Sequence, residues 1–217
     1  MVNPLQYIAV EGPIGVGKTT LCRMLAEQFK GRLVLEEAEE NPFLPDFYKD
    51  SKRFAFQTQV FFLLSRFRQQ KEIEQQDLFQ QATVADYIFA KDRIFAHLNL
   101  SQEEIDLYEN LYRILDARIR KPDLVIFLQA SVDELRERIK KRGIPYEKSI
   151  SGAYIERLCQ AYNQFFFEYD ETPLLTVNCT EIDIVRNESD YKHLLKEILN
   201  MRKGKLDKHY VSISSKT

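Results

Sequence analysis

Gly12-Pro13-Ile14-Gly15-Val16-Gly17-Lys18-Thr19 is the stretch from which this chain is read. It fits G-x-x-x-x-G-K-[ST], the pattern of a phosphate-binding P-loop. Tyr7-Ile8-Ala9-Val10 before it reads as a short buried strand. Thr20 to Phe29 after it reads as a helix, with apolar Leu21, Met24 and Leu25. A strand that delivers a loop to a helix start aims unpaired backbone N–H groups and the positive helix end at one place. The backbone from Gly12 through Pro13, Ile14, Gly15, Val16 and Gly17 to Thr20 is therefore expected to wrap a polyphosphate. Its glycines allow close approach to the oxygens. Lys18 is expected to reach the outer phosphates, and the Thr19 hydroxyl to ligand Mg²⁺.

The rest of the composition sets limits. The 217 residues, 44% apolar and 29% charged, suit one folded domain with a real core. A formal charge of −2 gives no reason to expect a nucleic-acid surface. Cys22, Cys159 and Cys179 form no C-x-x-C pair, so neither a disulfide framework nor a zinc site is suggested. No apolar run reaches membrane-spanning length. With the P-loop so near residue 1, the expectation is a chain without a signal peptide, in the cytoplasm.

Beyond the loop, strands and helices alternate. Leu33-Val34-Leu35 is a second short strand and ends at Glu36-Glu37. Asn41-Pro42-Phe43-Leu44-Pro45 breaks regular structure. The stretch 51–74 reads as a helix too rich in Phe and Leu for a surface stripe, either buried or packed on another subunit. A third strand covers 82–86, and Phe89 to Leu98 a helix. Ser101-x-x-Glu104 opens a long helix to about Arg120, with Leu107, Leu111, Ile114, Leu115 and Ile119 as its expected buried face. Strands at 123–128 and 174–177 and helices at about 131–142, 151–169 and 188–202 complete the chain. The continuous apolar strands predict a five-stranded parallel sheet with helices on both faces, as one domain over 1–203 followed by a polar tail, 204–217. Ligands of such sheets bind beyond the carboxyl ends of the strands, where the P-loop, Glu36-Glu37 and Asp86 all fall.

A P-loop fixes the donor and leaves the reaction open. The D-x-x-G and N-K-x-D signatures of a GTPase switch are missing, and nothing suggests an oligomeric motor. A small-molecule kinase remains. The order of Glu36-Glu37, Asn41-Pro42-Phe43, Tyr48, Gln59 through Ser65-Arg66, Asp86-Tyr87, Lys91-Asp92-Arg93, Lys121-Pro122-Asp123-Leu124, Arg138 to Arg142 with Glu147, and Pro173-Leu174-Leu175 resembles the deoxyribonucleoside kinases from about Tyr7 to Val177. The bacterial deoxyadenosine/deoxyguanosine kinase branch is the nearest likeness.

The resemblance implies a role for each of these residues. Glu36 becomes the base that accepts the 5′-hydroxyl proton. Glu37 is its rival, because neighbouring side chains of an extended segment point opposite ways. Gln59 and Arg66, two helical turns apart, share a helix face and look like base readers. A Gln59 amide offers a paired donor and acceptor. Asp92, paired with Arg66, accepts only, which favours an exocyclic amino group: deoxyadenosine first, with deoxycytidine and deoxyguanosine as alternatives. Tyr48 and Glu147 resemble the grip on the sugar 3′-hydroxyl. Arg138 and Arg142, flanking the Gly143 hinge, resemble lid arginines that act as in-chain arginine fingers. Asp86 is expected to hold Mg²⁺, directly or through water, beside the substrate. The chain departs from some relatives at Ile144 and at Tyr87, where they carry arginines, and Arg93 is the candidate replacement.

The expectation is an ATP- and Mg²⁺-dependent deoxynucleoside kinase of nucleotide salvage, a homodimer by resemblance, with the helices 51–74 and 101–120 as its contact surfaces. The rivals are a monophosphate kinase of the thymidylate kinase type and a non-catalytic nucleotide sensor. The first needs a second phosphate cluster on the acceptor side, and the second needs a missing base or lid.

Overall fold

Alternation of side chains along β1 (Tyr7–Glu11) sets up both layers of the core. Ile8 and Val10 pack to one side with Leu21 and Leu25 of α1 (Lys18–Gln28) and with Leu194 and Ile198 of α8 (Glu188–Met201). Tyr7 and Ala9 pack to the other with Tyr162 and Phe166 of α7 (Gly152–Glu168). In β4 (Leu124–Gln129), Ile126 and Leu128 join the first layer, and Val125 and Phe127 the second. Both faces of the sheet are thus covered, as the unbroken apolar runs require.

The computed structural model describes residues 5–76, 82–180, 182–201 and 208–211. The sheet is parallel throughout, in the order β2-β3-β1-β4-β5-β6. Here β2 is Arg32–Val34, β3 is Thr83–Ala85, β5 is Leu174–Asn178 and β6 is Lys208–Val211. The order reverses between β3 and β4 around β1, so the P-loop leaves the sheet at its switch point.

The sheet has six strands where the sequence predicts five. The addition, β6, pairs with β5 from Leu174↔Lys208 to Val177↔Val211. It lies at the sheet's edge and is short and polar, so no apolar run announces it. It falls within 204–217, and the remainder of that stretch lies outside the described residues.

After the short α2 (Leu44–Phe47), two longer helices pack on each other. α3 (Ser51–Gln76) buries Gln59, Leu63, Arg66 and Gln70, and leaves Leu64 52% exposed. α5 (Gln102–Asp116) starts with the predicted capping box, Ser101 and Glu104 each bonded to the other's backbone N–H. Its buried face differs from the prediction. Tyr108 and Tyr112 are buried against Leu63 and Phe89, with Leu115 and Ile119 partly covered beside them. Leu107, Leu111 and Ile114 face outward at 54%, 36% and 57% exposure. The helix carries two apolar stripes, and periodicity alone does not tell which one meets the core.

Candidate active site

The P-loop turn depends on glycine at position 12. Gly12 has φ +149°, and a Cβ there would stand 2.4 Å from the Leu128 carbonyl oxygen of β4. Gly17, also at positive φ, starts α1 without a side-chain cap and so leaves the helix N-terminus open. Lys18 Nζ donates to the carbonyls of Gly12 and Pro13 at 2.8 and 3.2 Å. Thr19 Oγ1 donates to Asp86 Oδ2 at 2.7 Å, and the Glu36 N–H donates to Asp86 Oδ1 at 2.7 Å. Asp86 thus ties the ends of β2 and β3 to the start of α1. Its carboxylate and the Thr19 hydroxyl are hard oxygen donors that suit Mg²⁺. Among the described residues no group of three or more His, Cys, Asp or Glu could hold a metal.

Beside the loop lies a cavity of about 450 Å³, walled by Glu36, Tyr48, Gln59, Arg66, Lys91 and Glu147 among others. Arg66 spans two carboxylates, with Nη1 on Asp92 Oδ1 and Nη2 on Glu36 Oε1. Lys91 Nζ lies 2.7 Å from Glu36 Oε2 and 4.0 Å from Glu11 Oε1. Burial would raise the Glu36 carboxyl, but Arg66 and Lys91 outweigh it and hold the group well below the usual carboxylate range. Burial also lowers the affinity of the Lys91 ammonium for its proton, and Glu36 and Glu11 reverse that into a raised pKa. For Asp92 burial prevails over Arg66 and pushes the carboxyl up to about 6. Gln59 Oε1, Arg66 Nε and Asp92 Oδ2 are buried without a hydrogen-bond partner. Such atoms carry a desolvation cost that a fitting ligand removes.

Tyr48 and Glu147, expected from the resemblance to grip a sugar, both line this cavity. Tyr48 stacks on Tyr146 with ring centroids 5.9 Å apart and planes 7° apart. Glu147 is buried and accepts from Arg142 Nε at 3.1 Å. A second cavity of about 890 Å³ opens on the other side of the loop, lined by Val16, Thr20, Arg138, Lys141, Arg142 and the segment 182–186. Arg138, on α6 (Val132–Arg142), donates through Nη1 to the Val16 carbonyl at 2.8 Å and pairs with Glu134. Gly15, Lys18, Thr19 and Arg142 belong to both cavities, so two ligands would meet over the loop.

Of the two adjacent carboxylates, Glu36 sits in the ion-pair cluster and Glu37 lies exposed at the cavity rim. Asp92 is fully buried behind Arg66 and is not part of the wall. Arg93 is no replacement for the missing arginine. It pairs with Glu109 at 3.0 Å, outside the cavity that Glu36 and Lys91 wall. Two positions along a helix are rotated by about 200°, so on α4 (Lys91–Asn99) Lys91 points inward and Arg93 away. Lys91 is the residue the sequence reading does not single out. A lysine at the start of a helix reads as surface, and only the fold reveals its two carboxylate neighbours. Tyr87 is fully buried with Arg66 over its ring at 5.9 Å, and Ile144 lines the cavity of Glu36 and Lys91.

A parallel sheet whose switch point carries a P-loop, with two cavities meeting over it, defines a P-loop kinase fold. The profile of the deoxynucleoside kinase family matches residues 8–202. The chain belongs to the deoxynucleoside kinase family. It is 37% identical to a deoxyguanosine kinase of Bacillus subtilis, over 89% of this chain and 96% of that protein. It is 36% identical to a deoxyadenosine kinase of Dictyostelium discoideum, over 81% of this chain and 73% of that one. A solved structure of deoxyadenosine kinase from M. mycoides with bound dATP superposes with a TM-score of 0.79 at 26% identity, covering 89% of this chain and 99% of that one.

Proposed function

We propose that this deoxynucleoside kinase phosphorylates the 5′-hydroxyl of purine deoxynucleosides with ATP, deoxyguanosine ahead of deoxyadenosine, as a step of nucleotide salvage in the cytoplasm. The observation that carries the reading is the acceptor wall. Arg66 and Gln59 face the cavity, while Asp92 is buried behind Arg66. A guanidinium offers only donors and matches the two acceptors of guanine, N7 and O6. The unpartnered Gln59 Oε1 suits the adjacent N1–H. This reverses the ranking reached from sequence, which treats the Asp92 carboxylate as part of the wall. The deoxyguanosine kinase of B. subtilis supports the order proposed. A second reading, deoxyadenosine first, has the unpartnered Asp92 Oδ2 in its favour, because that oxygen suits an exocyclic amine.

In this reading Glu36 takes the hydroxyl proton, and Tyr48 and Glu147 hold the 3′-hydroxyl. Lys18 and the backbone from Gly12 to Thr20 hold the donor phosphates, and Arg138 and Arg142 close over them. Thr19 and Asp86 would hold Mg²⁺, which when bound neutralises phosphate charge. The outward Leu64, Leu107, Leu111 and Ile114 support a homodimer through α3 and α5, since monomers rarely expose such a stripe. No described helix is long and apolar enough to cross a membrane.

Steady-state turnover of the four deoxynucleosides and of dGMP and dAMP, with ATP and Mg²⁺, tests the reading. Deoxyguanosine and deoxyadenosine are expected to exceed the pyrimidines by at least about tenfold in kcat/KM. Turnover confined to the monophosphates, or nucleotide binding without turnover, overturns it.

A further inference from the structure

Lys91 is a buried cation with no counterpart in the roles assigned so far. It opens α4, is 4% exposed, and lines the acceptor cavity. One of its carboxylate neighbours, Glu11, is fixed by the backbone, accepting from the N–H of Gly12 at 2.8 Å and of Ile88 at 3.2 Å. The other, Glu36, is the residue read as the base. Among the described residues of the cavity wall the side-chain cations are Lys18, Arg66, Lys91 and Arg142. Arg66 is engaged by Asp92 and Glu36, and Arg142 by Glu147. Positions 87 and 144 carry no charge. Lys18 and Lys91 are the two ammonium groups of this wall, and Lys91 Nζ lies 2.7 Å from Glu36 Oε2, where the acceptor oxygen has to lie for its proton to be taken.

We propose that Lys91 is a catalytic cation of the phosphoryl transfer, contacting the transferring group across the cavity from Lys18. The proposal deepens the functional reading and rests on it. As the 5′-oxygen forms its bond to the γ-phosphorus, the bond to the bridging oxygen breaks and its electron pair leaves with ADP. The hydroxyl proton goes to Glu36. Lys91, 2.7 Å from Glu36 Oε2 on the cavity wall, is placed to meet the equatorial oxygens as they gather charge. Preorganised donors aimed at developing charge contribute most where water is excluded. Glu11, 4.0 Å away, keeps the ammonium beside the root of the P-loop throughout.

The test is Lys91→Met and Lys91→Ala with deoxyguanosine and deoxyadenosine, measuring kcat by turnover and deoxynucleoside affinity by calorimetry without ATP. The expected result is a kcat lower by about 10²–10³, with affinity within about threefold, and partial recovery of Lys91→Ala by added methylamine. Lys91→Arg is expected to retain far more activity than Lys91→Met. If Lys91→Met loses its fold by circular dichroism, Lys91→Gln, which keeps the hydrogen bond to Glu36 without the charge, decides instead. A kcat near wild type overturns the role. So does a loss of affinity that parallels the loss of kcat without amine rescue, since that marks a structural lysine. A wild-type protein that phosphorylates no deoxynucleoside overturns the functional reading itself, an outcome distinct from active wild type with an equally active Lys91→Met.

Discussion

Arg142 and Glu147 are joined across the Gly143 turn, Arg142 Nε standing 3.1 Å from Glu147 Oε2. One is read as a lid arginine of the donor side and the other as the grip on the acceptor sugar. The pair therefore links the two cavities. A sugar 3′-hydroxyl that takes up Glu147 competes with Arg142 and favours its turn towards the phosphates. Glu147→Gln is expected to raise the deoxynucleoside KM by about 10- to 100-fold, the range for a hydrogen bond to a charged group. The check is a cycle with the 2′,3′-dideoxynucleoside: wild type should discriminate strongly against it, and Glu147→Gln hardly at all. Equal discrimination by both proteins would show that Glu147 does not touch the 3′-position.

Glu36→Gln is expected to lower kcat by about 10²–10⁴, the usual range for general-base help. Deoxynucleoside affinity should change less, because the Gln oxygen still accepts from one of the two cations that Glu36 holds, Arg66 or Lys91. Glu37→Gln, at the exposed rim, should leave kcat within about twofold. Stopped-flow single turnovers separate chemistry from product release, and a large effect at Glu37 instead of Glu36 would exchange the two assignments.

Asp86 and Thr19 make a joint prediction about metal. Their side chains meet at 2.7 Å beside Lys18, and Mg²⁺ usually relies on one or two protein oxygens plus substrate phosphates. Asp86→Asn should raise the Mg²⁺ concentration for half-maximal activity by about tenfold or more, and Thr19→Ala by less, since a carboxylate binds the cation more strongly than a hydroxyl. Titrating Mg²⁺ at saturating ATP measures both. An unchanged midpoint in Asp86→Asn removes it from the metal site and leaves it as the tie between Thr19 and the Glu36 backbone.

Asp92 gives a dependence on pH. Burial raises its carboxyl from the ordinary 3.8 to about 6. Above about 6 the ionised group only accepts, which suits an adenine amino group. Below it the protonated group also donates, which suits a guanine carbonyl. Asp92 lies off the cavity wall, so the ratio of kcat/KM for deoxyadenosine over deoxyguanosine should rise with pH through about 6 if the second reading, with Asp92 Oδ2 on the base, holds, and stay flat if Arg66 and Gln59 read guanine. Asp92→Asn should abolish that rise and favour deoxyguanosine at every pH. Stability runs the other way, falling as pH rises. A carboxyl whose folded pKa lies above its unfolded value contributes fully below about 4, and that contribution is lost as pH rises through about 6. Denaturant melts of wild type and Asp92→Asn across this window check it, and parallel curves would place the titration elsewhere.

The P-loop and its flanking strand and helix were legible because a phosphate cradle needs glycines and a lysine at fixed spacing, and that need is local. Arg66 with Asp92 and Tyr48 with Glu147 were legible only through resemblance, since each pair is long-range and its spacing has no meaning without the fold. Lys91 was hidden for the same reason. Its partners Glu11 and Glu36 come from the ends of two other strands, and nothing near it in sequence marks it as buried. β6 was missed because an edge strand needs pairing on one side only and so can be short and polar.

α5 was misread in a way that leads to the last prediction. The Leu107, Leu111 and Ile114 stripe satisfies helical periodicity as well as the Tyr108 and Tyr112 stripe does, yet the tyrosines fill the core. A second apolar face on α5, with Leu64 also exposed on α3, is costly to leave in water, at roughly 25 cal/mol per Å² of apolar surface. Packing the same face of a second copy against it buries both stripes, and a two-fold axis makes the contact self-complementary. Leu107→Glu with Ile114→Glu places like charges opposite one another in that contact. The double variant should sediment as a monomer where the wild type sediments as a dimer, with the circular dichroism spectrum unchanged because neither side chain belongs to the core. A wild type that sediments as a monomer at micromolar concentration would exclude the α3–α5 dimer, and a double variant that remains dimeric would place the interface on another face.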